Sequence, residues 1–178
     1  MSLSDGSPSR LNDFERLVDE YGDRIYAAAL RITGSPQDAE DVLQETFLQA
    51  FEHRGAFRGE ASPTTWLYRI AVNAALVRLR QRRPTSPLTD DGYDNPRVAD
   101  WSNDLGRQVE LGELRDELER GLGRLPEDLR VAVVLRDVEG FSIAEVARIV
   151  EQSEAAVKSR VHRGRVLLRQ LLATYLRA

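Results

Sequence analysis

The sequence has no cysteine. That excludes disulfides, thiolate zinc sites and thiol redox sensing within this chain. Histidine is nearly absent too: His53 and His162 stand far apart, and no HExxH, P-loop or paired nucleophile and base accompanies them. No metal ligand set, no cofactor motif and no catalytic residues are therefore expected, and a helical enzyme is the weakest function class. No apolar run is long enough to span a bilayer, and the opening MSLSDGSPSR lacks the apolar core of a signal peptide. A soluble cytoplasmic protein is the expectation. Alternating strand-like segments are missing as well, while apolar residues recur at helical spacing almost throughout. The fold class predicted is all-α.

The charge that is present is segregated. The net of −4 hides values of −7 for residues 1–53, +6 for 54–83, −6 for 84–120, −3 for 121–154 and +6 for 155–178. Two basic islands separated by acidic stretches fit two contacts with a polyanion, and equally fit two neutral pairs formed within the molecule.

The strongest local pattern is Phe141 to Leu172. Ser142 with Glu145 forms a capping box. A short helix through Val146, Ala147, Ile149 and Val150 follows, then four polar residues, 151–154, where Ser153 can cap the next helix. That helix sets Val157, Val161, Gly164, Leu168, Leu171 and Tyr175 on one side. Lys158, His162, Arg165 and Arg169 line another, with Ala155, Ala156, Ser159 and Arg163 beside them. The arrangement matches a helix-turn-helix, whose second helix enters the major groove. An amphipathic helix with a solvated basic face would look similar.

Upstream, residues 1–10 are polar and read as a disordered N-terminus. A helix capped at Asn12 carries Phe14, Leu17, Val18, Tyr21, Ile25, Ala28, Ala29 and Ile32 inward to Gly34, with Gly22 as a candidate bend. Ser35-Pro36 restarts a helix to about Arg54. Its Ala39, Val42, Leu43, Thr46, Phe47 and Ala50 face inward. Asp38, Asp41, Glu45, Gln49 and Glu52 form an acidic stripe with Leu48 among them. The stripe reads either as a solvated face or as a docking surface for a basic partner. After a glycine-rich loop, Ser62-Pro63 opens a third helix to about Arg83, with Leu67, Ile70, Ala71, Ala74 and Val77 inward. Trp66, Tyr68, Arg69, Asn73, Arg78, Arg80, Arg82 and Arg83 supply aromatic and cationic groups suited to single-stranded DNA, or else Trp66 is core and the arginines snorkel. Residues 84–108, with PTSPLTDDGYDNP, read as an interdomain linker, and two further helices fill 110–139. The predicted organisation is two small helical domains, 11–83 and 109–178, joined by a flexible linker.

Taken together, 21–60, 64–80 and 125–170 resemble a bacterial extracytoplasmic-function sigma factor, a specificity subunit of RNA polymerase. The resemblance implies that Asp38, Asp41, Gln44, Glu45 and Leu48 dock on the clamp helices of the polymerase β′ subunit. It implies that Phe57, Arg58, Thr65, Trp66, Arg69 and Asn73 capture the melted −10 element, with Arg78 and Arg80 on phosphates. It further implies that Ser153, Glu154, Ala156, Lys158 and Ser159 lie near the bases of the −35 element, with Arg160, His162, Arg163 and Arg165 in backbone or structural roles. Implied partners are core polymerase (β′ clamp and β flap), promoter DNA and an anti-sigma factor, with the free protein monomeric. Departures from the family pattern are Glu151-Gln152 where glycine is common in the turn, Val77 where an acid is common, and Pro63 where an aromatic is common. The rival reading is a free-standing helix-turn-helix regulator, disfavoured because the N-terminal half lacks a strand–helix receiver pattern.

Overall fold

The computed structural model describes residues 8–53, 62–82 and 111–173, with side chains from 14, 62 and 114 onward in the three stretches. The expectations for Phe57, Arg58, the loop around them, the linker 84–108 and Tyr175 fall outside the described residues. The chain divides into two compact units, Met1–Leu79 and Arg80–Ala178. All the regular structure among the described residues is helical.

The first unit is built on α1 (Pro8–Thr33), α2 (Pro36–Glu52) and α3 (Pro63–Arg82). α1 starts at Pro8, ahead of the Asn12 cap expected, and continues as helix through Gly22. It stops where Gly34 takes a φ of +68°, a left-handed conformation in which a Cβ is strained, and gives its N–H to the Leu30 carbonyl. Ser35 then caps α2 by accepting from the Asp38 N–H, with Pro36 in the first helical position. The core of this unit is Ile25, Ala28, Ala29, Ile32, Ala39, Val42, Ala50, Leu67, Tyr68 and Val72. Phe14 meets Phe47 and Phe51 edge-on, at centroid distances of 6.2 and 5.2 Å, fastening α1 to α2. The Arg24 guanidinium lies 6.0 Å over the Tyr68 ring, and Thr64 donates to the Tyr21 hydroxyl, fastening α1 to α3. Val18, expected inward, is exposed.

The second unit contains α4 (Leu111–Arg124), α5 (Glu127–Val133), a π-helical turn (Val134–Val138), α6 (Ile143–Val150) and α7 (Glu154–Ala173). Arg130 caps the end of α4, donating to the carbonyls of Gly123 and Leu125 at 2.8 and 2.9 Å. The wide turn closes with Glu139 N–H on the Val134 carbonyl, and Gly140 at φ +79° redirects the chain into Phe141. α7 crosses α5 where Gly164 faces it. A Cβ on Gly164 would stand 2.5 Å from Val133 Cγ2 and 3.3 Å from the Leu129 carbonyl. The line that α7 buries is Val157, Val161, Gly164, Leu168 and Leu172. Leu172 takes the place expected for Leu171, which is half-buried.

Candidate nucleic-acid interface

The helix-turn-helix forms as its sequence requires. Ser142 Oγ accepts from the Glu145 N–H at 3.2 Å, and the Glu145 carboxylate accepts from the Ser142 N–H at 2.8 Å. That backbone N–H, then the Ser142 hydroxyl and, more weakly, the charge of Arg148 hold the Glu145 carboxyl below its ordinary value, against a smaller opposing effect of partial burial. α6 ends at Glu151, which adopts φ 55° and ψ 46°. The departure from glycine seen in the sequence thus falls on the residue that must be left-handed, at a cost of about 1 kcal/mol. Ser153 caps α7, with its Oγ 3.2 Å from the Ala156 N–H.

Along α7 the cations fall into two groups. Lys158, His162 and Arg163 are exposed, as are Glu154, Ala155 and Ser159, and Ala156 is half-buried. Arg160 and Arg165 occupy the two edges and reach back to the unit's own carboxylates. Arg165 makes a two-bonded fork to Asp137 in the π turn, Nε–Oδ2 2.9 Å and Nη2–Oδ1 2.5 Å. Arg160 Nε stands 3.5 Å from Asp128 Oδ2 on α5. The two pairs lie on either side of the Gly164 crossing. Sequence spacing puts Arg165 in line with Lys158, and it gives no sign of Asp137, 28 positions from Arg165, or of Asp128, 32 positions from Arg160.

The exposed row on α3 is Arg69, Asn73, Val77 and Arg80, with half-buried Trp66 at its start. These positions follow one another at three- and four-residue steps, so they share a face. Four expectations change here. Thr65 is buried, and its hydroxyl lies 2.9 Å from that of Ser62, the residue whose Oγ accepts the Thr65 N–H; it builds the helix start instead of facing a ligand. Tyr68, expected among the presented aromatics, is fully buried beneath Arg24. Arg78 lies on the side facing α2, with Nη1 2.9 Å from Asp41 Oδ2 and Nη2 3.6 Å from Glu45 Oε2. Val77, placed inward by the sequence reading, is 46% exposed. α3 carries apolar residues on nearly all sides, so its phase is hard to read from spacing alone.

On α2 the acidic stripe divides. Asp41, Gln44, Glu45 and Leu48 are at the surface, Leu48 with 58% of its area exposed. Asp38 is only 8% exposed and belongs to the buried side at the first turn, where a carboxylate suits the positive end of the helix. Among the described residues no group of three or more histidines and carboxylates is arranged to hold a metal ion. No helix among them is long and apolar enough to cross a membrane.

Family models match both halves: sigma-70 region 2 over residues 17–85, and sigma-70 region 4 over residues 115–168. The two units are those of a sigma-70-type polymerase subunit. The RNA polymerase sigma-H factor of Pseudomonas aeruginosa is 35% identical over 171 residues, covering 92% of this chain and 88% of that protein. The ECF RNA polymerase sigma factor SigM of Mycobacterium tuberculosis is 38% identical over 161 residues, covering 89% and 76%. Among solved structures, the sigma factor RpoE in complex with the anti-sigma factor NepR from Bartonella quintana aligns with a TM-score of 0.68 and 25% identity, covering 90% of this chain and 97% of that one. CnrH in complex with the cytosolic domain of CnrY gives the same score and identity over 92% and 90%. The chain belongs to the extracytoplasmic-function (ECF) family of RNA polymerase sigma factors, which are transcription-initiation factors that bind core polymerase and promoter DNA.

Proposed function

We propose that the protein, acting in the cytoplasm, docks on core polymerase through α2 and grips a promoter at two places with α3 and α7. The observation that carries this reading is the sorting of α7's charge. Lys158, His162 and Arg163 are held outward beside Ser159 and Ala155, on a helix whose first turns follow a capped, left-handed turn. A helix so presented fits the major groove of a −35 element, with Glu154, Ala155, Lys158 and Ser159 nearest base edges and Arg163 on phosphate. Arg160 and Arg165 serve to hold the helix on its unit.

The α3 row of Trp66, Arg69, Asn73 and Arg80 suits unstacked bases and their phosphates, as the melted −10 strand requires. Thr65 and Arg78 take no part in that contact. Asp41, Gln44, Glu45 and Leu48 offer a basic clamp helix both charge and an apolar anchor; the buried Asp38 does not. Residues 11–83 and 109–178 are the two working domains and 84–108 the spacer between them. The similarity in fold to sigma factors solved with CnrY and NepR supports control by an anti-sigma factor.

Reconstituted transcription tests the whole. Core polymerase plus this protein should initiate from a promoter that core alone ignores. Charge reversal at both Asp41 and Glu45 should abolish that activity and retention on core. Unchanged transcription after the double reversal would contradict docking through α2.

A further inference from the structure

The surface assigned to polymerase docking contains a cation that no reading of its sequence placed there. Asp41 and Glu45 stand one helical turn apart on α2, and the Arg78 guanidinium from α3 reaches both, at 2.9 and 3.6 Å. Glu45 is further held by Gln49, whose amide donates to Oε1 at 3.0 Å. The two carboxylates and the guanidinium are each about one-third exposed, so the cluster is open to a partner. Its formal charge is −1, half of what the acids alone would present.

We infer that Arg78 is an internal counter-ion of the docking surface, which a basic partner must displace or share when it binds Asp41 and Glu45. This rests on the assignment of α2 as the docking helix. Three features make it follow. Arg78 cannot serve the strand-facing row, because it leaves α3 on the opposite side from Arg69, Asn73 and Arg80. Its ion pairs are half-solvated and one is long, so they hold the unit together only weakly and a second cation can compete for the same oxygens. The apolar contact that accompanies docking, Leu48, lies one turn beyond Glu45 on α2 and outside the pair, so docking can begin without breaking it. The consequence is a sigma subunit whose affinity for core is set below the maximum that its acids allow, and whose docking is more tolerant of salt than two bare carboxylates would be.

The test is a cycle on the full-length chain with purified core polymerase, measuring the dissociation constant across a salt series. Arg78→Gln should tighten core binding about three- to tenfold at low salt and steepen its salt dependence. Asp41→Asn with Glu45→Gln should weaken binding, and in that background Arg78→Gln should give no gain. Thermal unfolding of each variant separates loss of fold from loss of contact. If Arg78→Gln weakens core binding or leaves it unchanged while the acid variants lose affinity, the counter-ion role is overturned and docking through α2 stands. If the acid variants bind core as well as the parent, both assignments fall.

Discussion

α3 and α7 are both 20 residues long and rich in arginine, and each dominates a segment of net charge +6. The structure spends those charges differently. α7 commits its two edge arginines to the unit that carries it, Arg165 to Asp137 and Arg160 to Asp128, while Lys158, His162 and Arg163 are exposed. α3 commits Arg78 to the acids of α2, and its open row carries an aromatic and an amide among the cations. The proposed groove reading needs a helix held at a fixed angle, which the close glycine crossing supplies, with a half-solvated ion pair on either side of it. A helix that holds a single strand needs stacking surface more than a fixed angle. Net charge by segment cannot tell a cation that binds from one that fastens.

The contrast breaks most easily at Gly164. If α7 is set by its close approach to α5, Gly164→Val should destabilise the second unit by about 1–3 kcal/mol, since the Val133 side chain and the Leu129 carbonyl leave no room. Gly121→Ala should cost less, because the nearest atom to its Cβ is the far end of Leu168, which can swing aside. Thermal unfolding of both variants checks the order.

The cap of α6 carries the next largest effect. Ser142→Ala should cost about 1 kcal/mol at neutral pH. Glu145 has its folded-state pKa below the ordinary 4.5, so its contribution is fully present above that value and disappears as pH falls through the folded one. The gap in melting temperature between the parent and Glu145→Ala should therefore narrow in acid. A gap independent of pH would mean that the carboxylate plays no part in the cap.

A smaller change of opposite sign should come from Glu151→Gly. Removing the Cβ from a left-handed residue should add up to about 1 kcal/mol, offset in part by the freedom glycine has when unfolded. A lower melting temperature would show that the turn depends on the Glu151 side chain.

Much of this is legible in the amino-acid sequence itself. The caps at Ser35, Ser62, Ser142 and Ser153, the stop at Gly34 and the inward glycine of α7 all follow from local rules, because each depends on residues within four positions of itself. The sorting of cations does not. Arg78 meets Asp41 from 37 positions away, and Arg165 meets Asp137 from 28, so only the packing of helices brings them together. Periodicity also misleads where a helix is apolar on nearly every side, as in α3, where spacing puts exposed Val77 in the core and buried Tyr68 at the surface. Spacing puts Asp38 in the acidic stripe, yet the first turn of α2 turns it inward.

The claim on which the interface rests is that α7's outward cations meet phosphate while its edge cations meet aspartate. Salt titration of holoenzyme binding to promoter duplex, for Arg163→Ala beside Arg165→Ala, tests it most directly. Arg163→Ala should lower the slope of log affinity against log salt by about 1 on every sequence, and Arg165→Ala should leave the slope unchanged while lowering the melting temperature. A slope lowered by Arg165→Ala and untouched by Arg163→Ala would contradict the account.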